Sequence, residues 1–183
     1  MLQLEYTITE EEFLNYNYFV GWMDPAKKLK RLKFYLFAII GFPVIAGFLL
    51  SQGKKTLELS SIIYIVIGTI ALLLLLRFRL RPVFDKQAKK LLQQPGGDTI
   101  LSRMNATIEE KGFFLKTKTA EAKYEWNAFQ RKVIANNCYY LFVNARQAAI
   151  IPFSAFQSPA EREKFDALLL QYLPLKTELK QFA

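Results

Sequence analysis

With 183 residues, 52% of them hydrophobic and 15% aromatic, the chain has material for one modest core besides two long apolar runs. The net charge of +9 sits mostly beside those runs. Residues 1–24 carry five acids and no base, the flanks of the runs carry eleven of the 25 basic residues, and 98–183 hold twelve bases and nine acids. That distribution removes the main support for a nucleic-acid face. The absence of histidine, with Cys138 the only cysteine, excludes an intramolecular disulfide, a thiolate-based metal site and imidazole-activated nucleophiles.

The start alternates Leu2, Leu4, Tyr6 and Ile8 against Gln3, Glu5 and Thr7, which is strand periodicity. It is acidic and lacks an apolar h-region, so no cleaved signal peptide is expected there. Thr9-Glu10-Glu11-Glu12 fits a capping box with Glu12 at N3, opening a helix over 10–22 with Phe13, Tyr16 and Val20 on one stripe. Pro25 interrupts it. The runs 34–50 and 59–76 then contain no charge, and at ~1.5 Å per residue each spans roughly the hydrocarbon thickness of a bilayer. Gly41-Phe42-Pro43 predicts a kink in the first run. Lys27, Lys28, Lys30, Arg31 and Lys33 precede the pair; Arg77, Arg79, Arg81, Lys86, Lys89 and Lys90 follow it. The linking segment 51–58 has only Lys54 and Lys55. The positive-inside rule therefore predicts a two-pass cell-membrane hairpin with both termini cytoplasmic and the loop outside.

Beyond the second run, Leu80, Val83, Phe84, Gln87, Ala88, Leu91 and Leu92 share a helical face, with Lys86, Lys89 and Lys90 opposite. This segment (77–97) either lies on the membrane or packs on the helix over 10–22. Acids on the latter and lysines here favour packing. Pro95-Gly96-Gly97 ends it. From residue 100 the period becomes two, predicting strands over 103–109, 113–118, 122–126, 130–135, 139–144 and 148–151, with turns at Lys111-Gly112, Asn136-Asn137 and Asn144-Ala145. Ser158-Pro159-Ala160-Glu161 opens a last helix that Pro174 stops, with a stripe of Phe165, Leu168, Leu169 and Tyr172. The fold class expected is membrane α+β: a transmembrane hairpin (34–76) and a small antiparallel roll or barrel (98–183) of pleckstrin-homology-like shape closed by a C-terminal helix. The strand over 2–8, on the same side of the membrane, is expected to join that sheet at its edge, making the hairpin an insertion within one domain.

Several runs have a familiar order: Glu5-Tyr6-Thr7-Ile8-Thr9-Glu10-Glu11 and the helix pair, then Ala106-Thr107-Ile108-Glu109-Glu110-Lys111-Gly112-Phe113, Tyr124-Glu125-Trp126-Asn127-Ala128-Phe129, and Tyr139-Tyr140-Leu141-Phe142 before Ile150-Ile151-Pro152-Phe153-Ser154-Ala155-Phe156. In this order the chain resembles the YcxB-like membrane proteins. The resemblance implies two membrane helices plus a small cytoplasmic domain of pleckstrin-homology-like shape. It implies no catalytic residues.

The residues themselves suggest little chemistry. Glu109 and Glu110 are adjacent on a predicted strand and face opposite sides, Glu161 is explained by capping, and Gly96-Gly97 lacks the lysine and hydroxyl of a phosphate loop. No enzyme activity, cofactor or metal is expected. The runs hold no ionisable aspartate, glutamate, lysine, arginine or histidine, which disfavours transport by this chain alone. Gly41, Ala46, Gly47, Gly68 and Ala71 permit close packing within the hairpin or between copies, leaving a homo-oligomer open. Two candidate surfaces remain. The eleven flanking bases form one, for anionic lipid. Trp126, Phe129, Tyr139 and Tyr140 form the other, as a partner groove or, alternatively, as core. The expected role is a membrane-anchored, non-enzymatic interaction module that binds a protein segment or lipid headgroup. The alternative is an accessory or oligomeric membrane component in which the hairpin is active and the domain regulates it.

Overall fold

A computed structural model describes residues 1–51, 58–173 and 181–182. The chain forms two compact units: Met1–Tyr16 with Ala88–Ala183, and the inserted stretch Asn17–Gln87. The expected loop between the apolar runs, with Lys54 and Lys55, and the expected stop at Pro174 lie outside the described residues.

In the first unit, strand β1 (Leu2–Thr7) runs antiparallel to β2 (Arg103–Glu109) along its whole length, from Leu2 opposite Ile108 to Thr7 opposite Arg103. The strand predicted over 2–8 does join the sheet formed after residue 100. It sits at the edge of the order β1-β2-β3-β4, with β3 at Gly112–Lys116 and β4 at Glu121–Tyr124. Leu4, Tyr6 and Ile8 are buried while Glu5 pairs outside with Arg103. Thr9 and Glu12 then exchange the two bonds of a capping box, Thr9 N–H to Glu12 Oε2 at 2.8 Å and Glu12 N–H to Thr9 Oγ1 at 3.2 Å. That box starts α1 (Glu10–Tyr18), which lays Phe13 and Tyr16 into the core.

The second sheet orders β7-β6-β5-β8, with β5 (Arg131–Ala135), β6 (Cys138–Phe142) and β7 (Ala148–Pro152) antiparallel and β8 (Gln181–Phe182) parallel to β5. Asn136 and Asn137 both take positive φ, 51° and 56°, giving the two-residue hairpin that their side chains tolerate best. Gly112 is required for a different reason: a Cβ there would lie 2.3 Å from the Tyr124 carbonyl oxygen. Helix α5 (Pro159–Tyr172) is capped by Ser158, whose Oγ accepts from Glu161 N–H at 3.2 Å. It buries Phe165 and Leu169. The predicted strand over 122–126 stops at Tyr124, because Trp126–Ala128 turns as a 3₁₀ helix.

In the inserted unit the predicted helix over 10–22 changes character. After Tyr18 it widens into a π-helical turn, Phe19–Met23, closed by Asp24 N–H donating to the Phe19 carbonyl at 2.8 Å. Gly21 within it leaves room for the Phe84 ring, which a Cβ there would meet at 2.3 Å. The first apolar run comprises α2 (Lys28–Leu36), a second π-turn (Phe37–Gly41) and α3 (Phe42–Ser51). Pro43 has no N–H for the carbonyl four residues back, and the expected irregularity takes the form of that π-turn. The second run belongs to α4, continuous over Leu59–Leu92 with Pro82 inside. Phe42 on α3 lies against Gly68 on α4, where a Cβ would stand 3.2 Å from the ring. Of the small residues in the runs, Gly68 thus serves packing within the hairpin. On the face expected to be apolar beyond the second run, Ala88 is buried, whereas Val83 and Leu91 are exposed at 51% and 43%. That stripe is narrower than its periodicity suggests.

Both stretches are long and apolar enough to cross a membrane, and only 6% and 0% of their most apolar windows are buried by the protein. A core helix of a water-soluble fold would be mostly covered; these helices are not.

Removing the β1 contribution should weaken the sheet. Leu4→Ala, which empties a position 2% exposed, is expected to cost about 2–5 kcal/mol, measured as a lowered thermal transition of the purified chain. Glu5→Ala, on the solvent side, should shift it by no more than about 1 kcal/mol.

Candidate functional site

The eleven flanking bases do not form one equivalent set. Lys27 Nζ donates to the carbonyls of Val20 and Gly21, and Arg31 Nη1 donates to those of Trp22 and, at 2.8 Å, Asp24. These two cations cap the end of the π-turn, where unpaired carbonyls concentrate negative charge. Asp24 anchors the same corner: it is 2% exposed and its Oδ1 accepts from Ala26 N–H at 2.9 Å. Arg81 reaches the Tyr18 ring, 5.5 Å from its centroid, and lies 3.9 Å from Asp85. Lys89 pairs with Glu10 at 3.1 Å, the contact that charge complementarity predicted between those two helices. The other seven cations are exposed: Lys28, Lys30 and Lys33 before the hairpin, Arg77, Arg79, Lys86 and Lys90 after it.

Beside the capped corner stands an aromatic cluster. Trp22 meets Phe34 at 5.3 Å, Tyr35 at 6.1 Å and Phe84 at 6.4 Å, and Tyr18 meets Phe84 edge-on at 5.7 Å. Large amphipathic rings next to exposed cations, at the end of long uncovered apolar helices, match the chemistry of a bilayer's headgroup zone. The sequence reading missed this cluster; its signal was the aromatic run Phe34-Tyr35 directly after Lys33.

The four residues offered as a partner groove are buried. Trp126 stacks on Tyr172 at 5.3 Å and its Nε1 donates to the Glu109 carbonyl at 3.0 Å. Phe129 packs among Phe113, Tyr124 and Trp126. Tyr139 lies between Phe153, Phe156 and Phe165, and Tyr140 meets Tyr16 at 5.3 Å. A groove lined by these rings is closed in this structure; they are the core. Every residue of β6 is buried, and Trp126 and Phe129 outside it are buried as well.

A surface concavity lies at the start of α5. It encloses about 510 Å³ between Phe153, Phe156, Ser158, Arg162, Glu163 and Asp166. Arg162 is set by two contacts, its guanidinium 3.8 Å over the Phe153 ring and its Nε donating to Tyr139 Oη at 3.0 Å. Behind it, Lys132 on β5 is 3% exposed, and burial lowers its affinity for a proton while Asp166 partly restores it. The cleft therefore combines a fixed cation, two acids and an apolar wall. Sequence reasoning had assigned no role to Arg162.

Cys138 is fully buried, and burial pushes its thiol up to about 12. Burial also raises Tyr16 and Tyr139 to about 12. Among the described residues no three His, Cys, Asp or Glu side chains are grouped to hold a metal ion.

Residues 108–169 match the family model described as YcxB-like protein. The resemblance read from the strand and helix motifs holds over that segment, from the end of β2 into α5. No curated protein and no solved structure gives a match.

Two outcomes follow for the buried groups. Cys138 should resist iodoacetamide at pH 8 in the folded chain and react on denaturation; modification at the rate of a free thiol would contradict its burial. The three raised groups hold their protons longer in the folded state than in the unfolded state. Their contribution is complete below the unfolded range near pH 9–10 and is lost as pH climbs towards 12. Denaturant midpoints should therefore fall between pH 9 and pH 12, and less steeply in Cys138→Ala.

Proposed function

We propose that the chain is a two-pass membrane protein whose sheet unit is a non-enzymatic interaction module, held at the cytoplasmic face and binding a protein segment at the α5 cleft. The observation that carries this is the pairing of β1 with β2 across the inserted hairpin. A domain whose sheet needs strands from both sides of a membrane hairpin is tethered twice to the bilayer. It is displayed there rather than released. The uncovered apolar faces of α3 and α4 supply the anchor, since lipid is the solvent that makes such surfaces cheap to leave bare of protein. The base-rich flanks orient both termini to the cytoplasm.

Two four-stranded sheets and helix α5 support reading this unit as pleckstrin-homology-like in shape, as the sequence leads one to expect. The competing view, that the hairpin is the active part and assembles through its small residues, loses one support, because Gly68 receives Phe42 from the same chain.

A photo-crosslinking residue placed at Glu163, in the cleft, and another at Lys111, in the β2–β3 turn, tests the module in native membranes. A discrete protein adduct from the first position only is expected. Failure of both positions to capture protein would remove the peptide-binding reading.

A further inference from the structure

The membrane reading above leaves open which bases meet lipid, and the geometry sorts them. We propose that the chain binds anionic phospholipid through an inner ring of five cations, Lys28, Lys30, Lys33, Arg77 and Arg79, while Lys27, Arg31, Arg81 and Lys89 are engaged within the protein and Lys86 and Lys90 stand too far along α4. This inference rests on the hairpin spanning a bilayer.

Three observations separate the ring. All five side chains are exposed, and none has an ion pair or hydrogen bond among the described residues. By contrast Lys27 and Arg31 hold backbone carbonyls at the π-turn, Arg81 holds Tyr18, and Lys89 holds Glu10. A cation engaged in this way has its donors already directed at the fold.

Distance gives the second criterion. The apolar part of α4 ends at Leu76, so Arg77 marks the hydrocarbon edge and Arg79 stands ~3 Å farther along the helix. Lys86 is nine residues beyond Arg77, ~14 Å along the axis, and even a 40° tilt leaves it roughly 10 Å away. That exceeds the screening length of about 8 Å at physiological salt, so Lys86 feels little of the anionic surface. On α2, Lys33 and Lys30 lie within about 6 Å of Phe34, where the apolar run begins, and Lys28, about 9 Å along the axis, comes to roughly 7 Å with the same tilt.

The aromatic cluster supplies the third. Trp22 with Phe34, Tyr35 and Phe84 places interfacial rings in the same unit as the five cations. Rings seat a helix at headgroup depth and cations there meet lipid phosphate. Five bases also exceed what orientation alone requires against a loop with two lysines.

The test uses the full chain in phosphatidylcholine nanodiscs with and without phosphatidylglycerol, reading retained lipid by native mass spectrometry. The wild-type chain is expected to retain phosphatidylglycerol preferentially. The triple variant Lys28→Gln, Lys30→Gln, Arg79→Gln keeps enough flanking charge for orientation and should lose at least about tenfold of that preference, since each base near an anionic surface contributes a factor of about five. Lys86→Gln should keep it. Should the triple variant not reconstitute, Lys30→Gln alone should lower the preference by about fivefold. No preference in the wild type, or equal losses from Lys86→Gln and the ring variants, would overturn the proposal while leaving the hairpin reading intact. Release of the chain from membranes by alkaline carbonate would overturn the hairpin reading, and the lipid proposal with it.

Discussion

Everything in this fold depends on one antiparallel pairing, six residues of β1 against six of β2. The partners are separated by the whole inserted unit, so their closure fixes a loop of about a hundred residues. Loop entropy grows only logarithmically, and extending a closed loop from ten to a hundred residues costs about 2 kcal/mol. Burial of Leu4, Tyr6 and Ile8 offsets it, at about 1.5–3 kcal/mol for each large apolar side chain. The hairpin is tolerated as an insertion because the strand that precedes it carries enough apolar surface of its own.

The same pairing explains the division of labour among charges. With β1 in the sheet, the Thr9–Glu12 capping box starts α1 at once, and Glu10 is placed to meet Lys89. The chain must then leave α1 and turn into α2 within a few residues. It does so through a π-turn, a buried Asp24 and Pro25, leaving carbonyls that neither helix satisfies. Lys27 and Arg31 satisfy them. A basic cluster that reads as uniform in sequence therefore contains two members fixed by backbone geometry.

What the sequence revealed follows from locality. Strand period, capping boxes, the Asn136-Asn137 turn and the apolar runs are patterns of neighbours, and the structure contains each of them. The β1–β2 pairing was legible too, because two apolar runs of spanning length predict that the chain returns to the side it left. The status of Trp126, Phe129, Tyr139 and Tyr140 was not. Alternation tells which face a side chain takes, but β6, Cys-Tyr-Tyr-Leu-Phe, is covered on both faces and shows no alternation. Nor was Arg162, whose setting depends on Tyr139 and Phe153 from two other segments. Asp24 was hidden for a similar reason: a single acid before a proline reads as a turn residue until the carbonyls around it are placed.

The two candidate surfaces thus differ in how they are built, and that difference bears on what each can recognise. The five bases proposed to meet lipid are long, exposed side chains held by no contact among the described residues, suited to charge but not to the shape of a ligand. The α5 cleft holds one cation whose position is set by a ring and a hydroxyl, beside two acids and an apolar wall. Discrimination requires donors held in place, because only then does a wrong ligand leave a polar group unsatisfied. The bases can hold the molecule to an anionic surface without choosing among its lipids finely. On the proposed reading, selectivity for a partner comes from the cleft, and Arg162, held by Tyr139 and Phe153, is the side chain on which it turns.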